Sequence, residues 1–477
     1  MPNRGQFEQL PYSTALSICI AFSAACSVEH SNLITSNPGS GGSSSTGGAG
    51  GAEGGAGGVG GAGLAGAGAA AGADARVVAV VDERPIGGAS LHGGTTGGGT
   101  YAAASSAGRL LVVDTVDALR AAVSGDEPTV VLLSEGSYAF SATATDVSVC
   151  TQACTPSTPL ASQTVPAGSC DDGATLFSVK DTHETLRIGK NKTLIGLGKG
   201  ATLSNVSLSL SGSSNIILRN LFVVDLLQDV KGTGDAVLVW PGDHIWIDHC
   251  TFRNIGRAYL NIVSSYTDDG SQTVTAESGY MTLTHNEFDG KVDGACGQRS
   301  SFVVGTSRNP GLTFAHNWFH GARARTSYLF GPGSWAHFFN NYYSDIDGSG
   351  ASVACGASAL LQGNVFESSI GALYNGDEGA PTWKFCATGK YGQQYAPMGG
   401  TSDQDNLVDA ASSLNLHGQP TDGAALVRPI ALGSHRYTIS APASLTASAA
   451  TYEVTLAAAT NTVAADVKAS AGAGRLF

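Results

Sequence analysis

Two polar residues, any residue, then an aromatic: this four-residue pattern returns along the chain at a nearly fixed step. HNEF (His285–Phe288), HNWF (His316–Phe319), NNYY (Asn340–Tyr343) and GNVF (Gly363–Phe366) begin 31, 24 and 23 residues apart. RNLF (Arg219–Phe222) and HCTF (His249–Phe252) read as earlier instances. A step near 23 residues, built of short strands and turns, is about one coil of a right-handed parallel β-helix. Stacked coils place like residues above one another. Asn286, Asn317, Asn341 and Asn364 would then form a hydrogen-bonded ladder at a turn, and the aromatics would stack inside. On this reading the asparagines, and the histidines beside them, are scaffold.

Composition agrees with such a fold. Only 13% of residues are charged and 42% are hydrophobic, with 65 glycines. Low charge with abundant Gly, Ser, Thr, Ala and Val favours an all-β, turn-rich chain. LLVVDTVDALRAAVSG (Leu110–Gly125) reads as a strand followed by a short amphipathic helix. TVVLLSEGSYAF (Thr129–Phe140) reads as strand again. The formal net charge of −13 excludes a nucleic-acid binder, which needs a basic face. It also sits poorly with a dense polyanion unless charge is focused locally or a cation helps.

The first residues read as an export signal. STALSICIAFSAA (Ser13–Ala25) is apolar and too short to span a bilayer. It ends in SAAC, and Cys26 there resembles the lipidated cysteine of a bacterial lipoprotein, with Ser23 where such signals usually carry Leu. Lipid anchoring at Cys26 in an outer membrane and ordinary cleavage nearby both stay open. The expectation is a secreted protein or a cell-surface lipoprotein. Residues 1–26 are read as the signal, 27–80 as a Gly/Ser/Ala-rich linker and 81–477 as one β-helix domain, with patterned sequence starting near Arg76. Ser36 to Ala73 cannot bury a core, and a coil of that length reaches roughly 35 Å. Of nine cysteines, Cys150, Cys154 and Cys170 cluster in a Thr/Ser/Pro-rich loop, where an oxidising compartment would staple them. Cys250, in a strand-like run, is the candidate buried free thiol.

Several motifs together resemble the pectate and pectin lyases, polysaccharide lyase family one. WIDHCTF (Trp246–Phe252) is similar to the family's WIDH signature. GGTTGGG (Gly93–Gly99), NKTLIGLGKGATL (Asn191–Leu203), NIILRNL (Asn215–Leu221), GDAVLV (Gly234–Val239), HNWFHGARAR (His316–Arg325), HFFNNYYSDI (His337–Ile346) and the terminal AGAGRLF follow the family's order. The resemblance covers roughly Ile86 to Phe477 and implies a pectin lyase-like, single-stranded right-handed parallel β-helix. It also implies β-elimination on galacturonan: loss of the C5 proton, breakage of C4–O4, and no added water.

The resemblance places a catalytic arginine about eight residues after the ladder asparagine. Counting from Asn317 gives Arg325, with Arg323 in reserve near the substrate. Family members continue Arg-x-Pro; here the run is Arg325-Thr326-Ser327-Tyr328. Where calcium enzymes carry Asp-Gly-Asp, this chain has Thr233-Gly234-Asp235, and the later acidic pair falls on Arg257 and Asn261. A guanidinium where a metal ligand should stand resembles the pectin lyases, so no metal and no cofactor are expected, and Arg257 would pair with Asp235. Trp240, Trp318, Trp335 and Tyr328 are candidates for stacking on sugars, Trp240 and Trp335 foremost. The expected partner is pectin or polygalacturonate, bound by a monomer.

Three rivals remain. A pectate lyase would need Ca²⁺, held by Asp235 with residues such as Asp268, Asp269 or Asp293. A tethered β-helix that binds polysaccharide without cleaving it is kept open by the missing Pro, and both arginines would then be plain turn residues. A hydrolase is disfavoured, since the clustered aspartates of polygalacturonases are not found.

Overall fold

The computed structural model describes residues 74–141, 145–150, 161–165, 175–178, 183–226, 235–255, 258–266, 274–291, 303–306, 309–322, 325–330, 334–354, 357–375, 400–412, 414–416, 419–421, 433–439, 450–458 and 461–477. Short strands wind through three long sheets, pairing parallel with the strand one coil away. This is the expected parallel β-helix. Sheet I runs from Leu110–Val113 to Gly400–Gln404. Sheet II runs from Gly136–Ala139 to Leu407–Val408. Sheet III runs from Glu184–Arg187 to Leu414–Leu416, where an antiparallel hairpin with Gln419–Thr421 closes it.

The polar pair of the repeat is explained by the corner between sheets I and II. Its first residue adopts the left-handed conformation: φ is +49° at His249, +50° at His285, +56° at His316 and +49° at Asn340, with Gly363 at +62°. Asn, His and Gly tolerate that region better than bulky residues. The second residue is the ladder. Each asparagine Oδ1 accepts from both the backbone N and the Nδ2 of the preceding coil's asparagine, from Asn286 through Asn317, Asn341 and Asn364 to Asn406. Cys250 heads the column: its backbone N donates to Asn286, and its thiol is buried and free, as expected. Burial pushes that thiol up to about 12.

Inside, Phe252, Phe288, Phe319, Tyr343 and Phe366 stack at centroid spacings of 5.1, 4.7, 4.8 and 4.5 Å. These match the inter-strand spacing, so each coil adds one ring. RNLF is one position out of register. Val223, not Phe222, pairs with Phe252, and Phe222 stands in the column of Thr251. Leu221 therefore occupies the ladder column, which has no asparagine at that level.

The ends are capped. Helix Val116–Val123 buries Leu119 and Val123 in the same core as Val131 and Leu194. Helix Ala75–Asp82 crosses the expected linker boundary at residue 80, and the compact unit starts at Ala75. Its Val77, Val80 and Val81 pack with Tyr101, Val130, Ile195, Leu476 and Phe477. The GGTTGGG stretch docks on sheet I: the Asn215 side chain accepts from Thr96 N and Gly97 N, and Thr193 Oγ1 accepts from Gly98 N. The terminal helix Asn461–Ser470 lays Val463, Ala464 and Val467 over Tyr342 and Val365. Gly472 N then donates to His285 O, Ala473 N to Thr251 Oγ1 and Gly474 N to Asn220 Oδ1. Cys154, Cys170, Cys296, Cys355 and Cys386 lie outside the described residues, and Cys150 is described only as part of strand Thr145–Cys150.

Candidate functional site

The candidate site is built on sheet III. Strand Asp235–Val239 pairs with Ala258–Val263, which pairs with Val303–Thr306, which pairs with Arg325–Phe330. Ala236 and Val237 are both core residues, as are Tyr259 and Leu260 on the next strand. Alternation breaks there, and residues on either side of each pair return to the outer side. Asp235 and Asn261 are two such residues, and the Asn261 Nδ2 donates to Asp235 Oδ2 at 2.8 Å. Asp235 is only 8% exposed, so this hydrogen bond is made where little water competes.

Register brings Arg325 into the same frame. Val237, Leu260, Val303 and Ser327 form one column. Asp235 lies two residues before Val237, and Arg325 two before Ser327. The Arg325 backbone therefore falls in the column of Asp235 and Ala258, three strands along, about 14 Å away at 4.8 Å per strand. Arg325 opens its strand and pairs with Ser349. Tyr328 falls in Asn261's column and is 7% exposed. Arg257 and Arg323 lie outside the described residues, as do Asp268, Asp269 and Asp293.

The tryptophans separate. Trp240 is half-buried and directly follows the Asp235 strand, at the turn toward sheet I. Trp335 is not brought to sheet III. It opens a sheet I strand and packs against Tyr452 and His337, at 6.5 and 6.2 Å. Trp318 stands on sheet II, stacked on His320 at 4.1 Å. Turn lengths decide which sheet a tryptophan lands on, and motif spacing does not carry that information.

Among the described residues, the one trio of groups close enough to share a metal is Asp248, His249 and His285. It does not fit a cation. The buried Asp248 carboxylate already accepts from Arg219 at 2.8 and 2.6 Å, from Thr284 Oγ1 at 2.6 Å and from His249 Nδ1 at 2.7 Å. Burial opposes its charge, but hydrogen bonds from His249 and His285, with the Arg219 guanidinium, hold it well below the usual carboxylate range. Arg219, 1% exposed, also donates to Val80 O and Glu83, and lies 4.3 Å over the Trp246 ring. The WIDH segment is thus an electrostatic lock that fastens helix Ala75–Asp82 to sheet I. Reasoning from sequence did not find it; the signal was an arginine in RNL one coil before the aspartate of WIDH. His249, His285 and His316 stack along the corner at 4.7 and 5.0 Å, and burial beside His285 lowers His316 to about 3.

Comparison with known proteins places this geometry. Residues 169–380 match a family model described as pectate lyase. A probable pectin lyase F from Emericella nidulans is 30% identical over 312 residues, covering 64% of this chain and 62% of that protein. A probable pectin lyase E from Aspergillus fumigatus is 28% identical, covering 57% of this chain and 70% of its own length. The chain spans 62%, 59% and 51% of the first curated relatives it matches, less than two thirds of each. The solved structure of a pectate lyase from Paenibacillus sp. 0602 superposes with a TM-score of 0.50 at 18% identity, over 83% of this chain and 97% of that one, a likeness of fold.

Proposed function

We propose that this chain is a member of the pectate and pectin lyase family and that it cleaves galacturonan by β-elimination, taking the methyl-esterified polymer without calcium. The observation that carries the calcium-free reading is the hydrogen bond from Asn261 to Asp235. A calcium site needs several oxygens converging on one point. Here the neighbour of the carboxylate turns its N–H toward it, the orientation an amide must take beside an anion. Among the described residues the side chain beside Asp235 is an amide and not a second carboxylate, which supports a site that works without Ca²⁺. A largely neutral ester also suits a protein of net charge −13 better than a polyanion does.

In this reading Arg325 acts at C5 of the uronide. Arg325, in its neutral form, takes the C5 proton, the C–H electron pair forms the C4–C5 double bond, and the C4–O4 bond breaks, with O4 leaving and taking a proton from solvent. Charge grows on the C6 carbonyl oxygen as the proton leaves, and a guanidinium stabilises that charge. Arg323 would add positive field. Arg257 would pair with Asp235 and supply the charge a metal gives elsewhere. Trp240 would line the approach. Residues 1–26 would export the chain, and residues 27–74 would tether the lyase domain to Cys26 at a membrane if that cysteine is lipidated.

The test is ultraviolet absorbance of unsaturated uronide product from methylated pectin and from polygalacturonate, each with calcium and with chelator. Product from methylated pectin in chelator, lost in Arg325→Ala by at least about 10²-fold, is the expected result. Product only from polygalacturonate with calcium would overturn the calcium-free reading. Polysaccharide binding without product, unaffected by Arg325→Ala, would mark a non-catalytic binder.

A further inference from the structure

A cleft of about 460 Å³ opens at the turns that lead into sheet I, away from the Asp235 column. Trp240 and Pro241 separate the two: six residues of chain from Asp235, about 20 Å at strand rise, reach its rim. The turns of four successive coils line it. Lys190 comes from the first, Ser214 from the second, Asp243 and His244 from the third, Glu277 and Tyr280 from the fourth. Gly242 and Gly279 leave the lining low, and packing keeps them glycine. A Cβ at Gly242 would meet Val239 at 2.7 Å, and one at Gly279 would meet Pro310 O at 2.4 Å.

The cleft presents an aromatic plate held in place. The Tyr280 ring lies edge-on to His92 at 4.7 Å and tilted against His244 at 5.4 Å. His244 is itself fixed by Asp243 Oδ1 at 2.6 Å and Leu91 O at 3.2 Å. Around this plate stand two carboxylates, Asp243 and Glu277, and one ammonium, Lys190, which lies 3.9 Å from Asp126. Burial raises the Tyr280 phenol, and Glu277 and Asp243 add to the rise, so it stays a hydrogen-bond donor. An aromatic face with flanking carboxylates suits a pyranose: the ring's C–H face lies on the aromatic, and its hydroxyls donate to the carboxylates. The acidic excess repels a free uronate. The volume lies in the range of small-molecule clefts, about 300–1,000 Å³.

We propose that this cleft is a second, non-catalytic sugar site that holds an uncharged pyranose unit, such as a methyl-esterified uronide, away from the sheet III column. It rests on the galacturonan reading only for the choice of sugar. The test is titration calorimetry of fully methyl-esterified trigalacturonide into Arg325→Ala protein, alone and combined with Ser214→Trp, which fills the cleft, or with Tyr280→Ala. Circular dichroism checks that each variant is folded. The expected result is two binding events in Arg325→Ala, one of which is lost in a folded cleft variant and is at least about tenfold weaker for unesterified trigalacturonate. Two events retained in both cleft variants, a second event equal for the two sugars, or a single event in Arg325→Ala that the cleft variants leave unchanged overturns the proposal, as does absence of binding. Failure of the lyase reading is seen separately, as absence of ultraviolet product from the unmodified protein.

Discussion

Asn317→Ala measures how much one rung of the ladder contributes. The Asn317 side chain is fully buried. Its Oδ1 accepts from Asn286 N and Asn286 Nδ2, both at 3.0 Å. Its Nδ2 donates to Leu283 O at 2.9 Å and to Asn341 Oδ1 at 3.0 Å. Truncation leaves the Asn286 N–H without a partner and removes one donor from the Leu283 carbonyl. Two groups suffer less: Asn286 Nδ2 keeps Ile247 O at 2.9 Å, and Asn341 Oδ1 keeps the Asn317 backbone N at 3.0 Å. At about 1–3 kcal/mol for each orphaned buried group, with a small term for the void, the loss should be about 3–5 kcal/mol. That is a large share of a domain's typical stability of about 5–15 kcal/mol. Urea unfolding followed by tryptophan fluorescence reads it as a lower midpoint at unchanged slope. Asn317→Asp is the control: it keeps an acceptor for Asn286 but loses the two donated bonds, and should destabilise as well. A loss below about 1 kcal/mol for Asn317→Ala would refute the reasoning, because it would mean neighbouring coils re-satisfy these groups.

Other sites give further tests. Asn261→Asp sets a second carboxylate beside Asp235, so calorimetry with Ca²⁺ alone should show binding that the parent lacks; no heat in the variant would count against the metal reasoning. Arg219→Leu strands the buried Asp248 carboxylate and should cost about 3–5 kcal/mol, with faster hydrogen exchange in helix Ala75–Asp82; a stability change within about 0.5 kcal/mol would argue against the lock. His337 is fully buried between Tyr452 and Gln362, and burial lowers it to about 4. Its folded value lies below the unfolded 6.5, so its contribution is complete above about pH 6.5 and is lost as pH falls toward 4. At about 1.4 kcal/mol per unit the loss approaches about 3 kcal/mol, and His316, lowered to about 3, adds in the same direction. Thermal melts between pH 7 and pH 4 should show it, and a His337→Gln melt with the same pH slope would remove His337 as the cause.

The coil, its ladder and the stack of rings were legible in the sequence because stacking repeats a local requirement. Each corner needs a residue that accepts positive φ, then an amide, then an inward ring, and the order HNEF, HNWF, NNYY, GNVF writes that out. The buried thiol at Cys250 was legible for the same reason, as a residue in an inward column. The frame around Asp235 was partly legible: family order named Asp235 and Arg325, and their strands lie in one sheet, three strands apart. Tertiary structure decided what depends on turn length and on contacts between distant segments. RNLF slips by one residue because its coil joins the stack at Val223. Trp335, which stands outside the repeat, falls on sheet I because each coil bends three times, and no periodicity says at which bend such a side chain lands. The lock of Glu83, Arg219, Asp248 and His249 spans 166 positions from Glu83 to His249. Such a cluster leaves no spacing to read: its members are joined by the desolvated charge of Asp248, which can stay buried only where the fold supplies every partner.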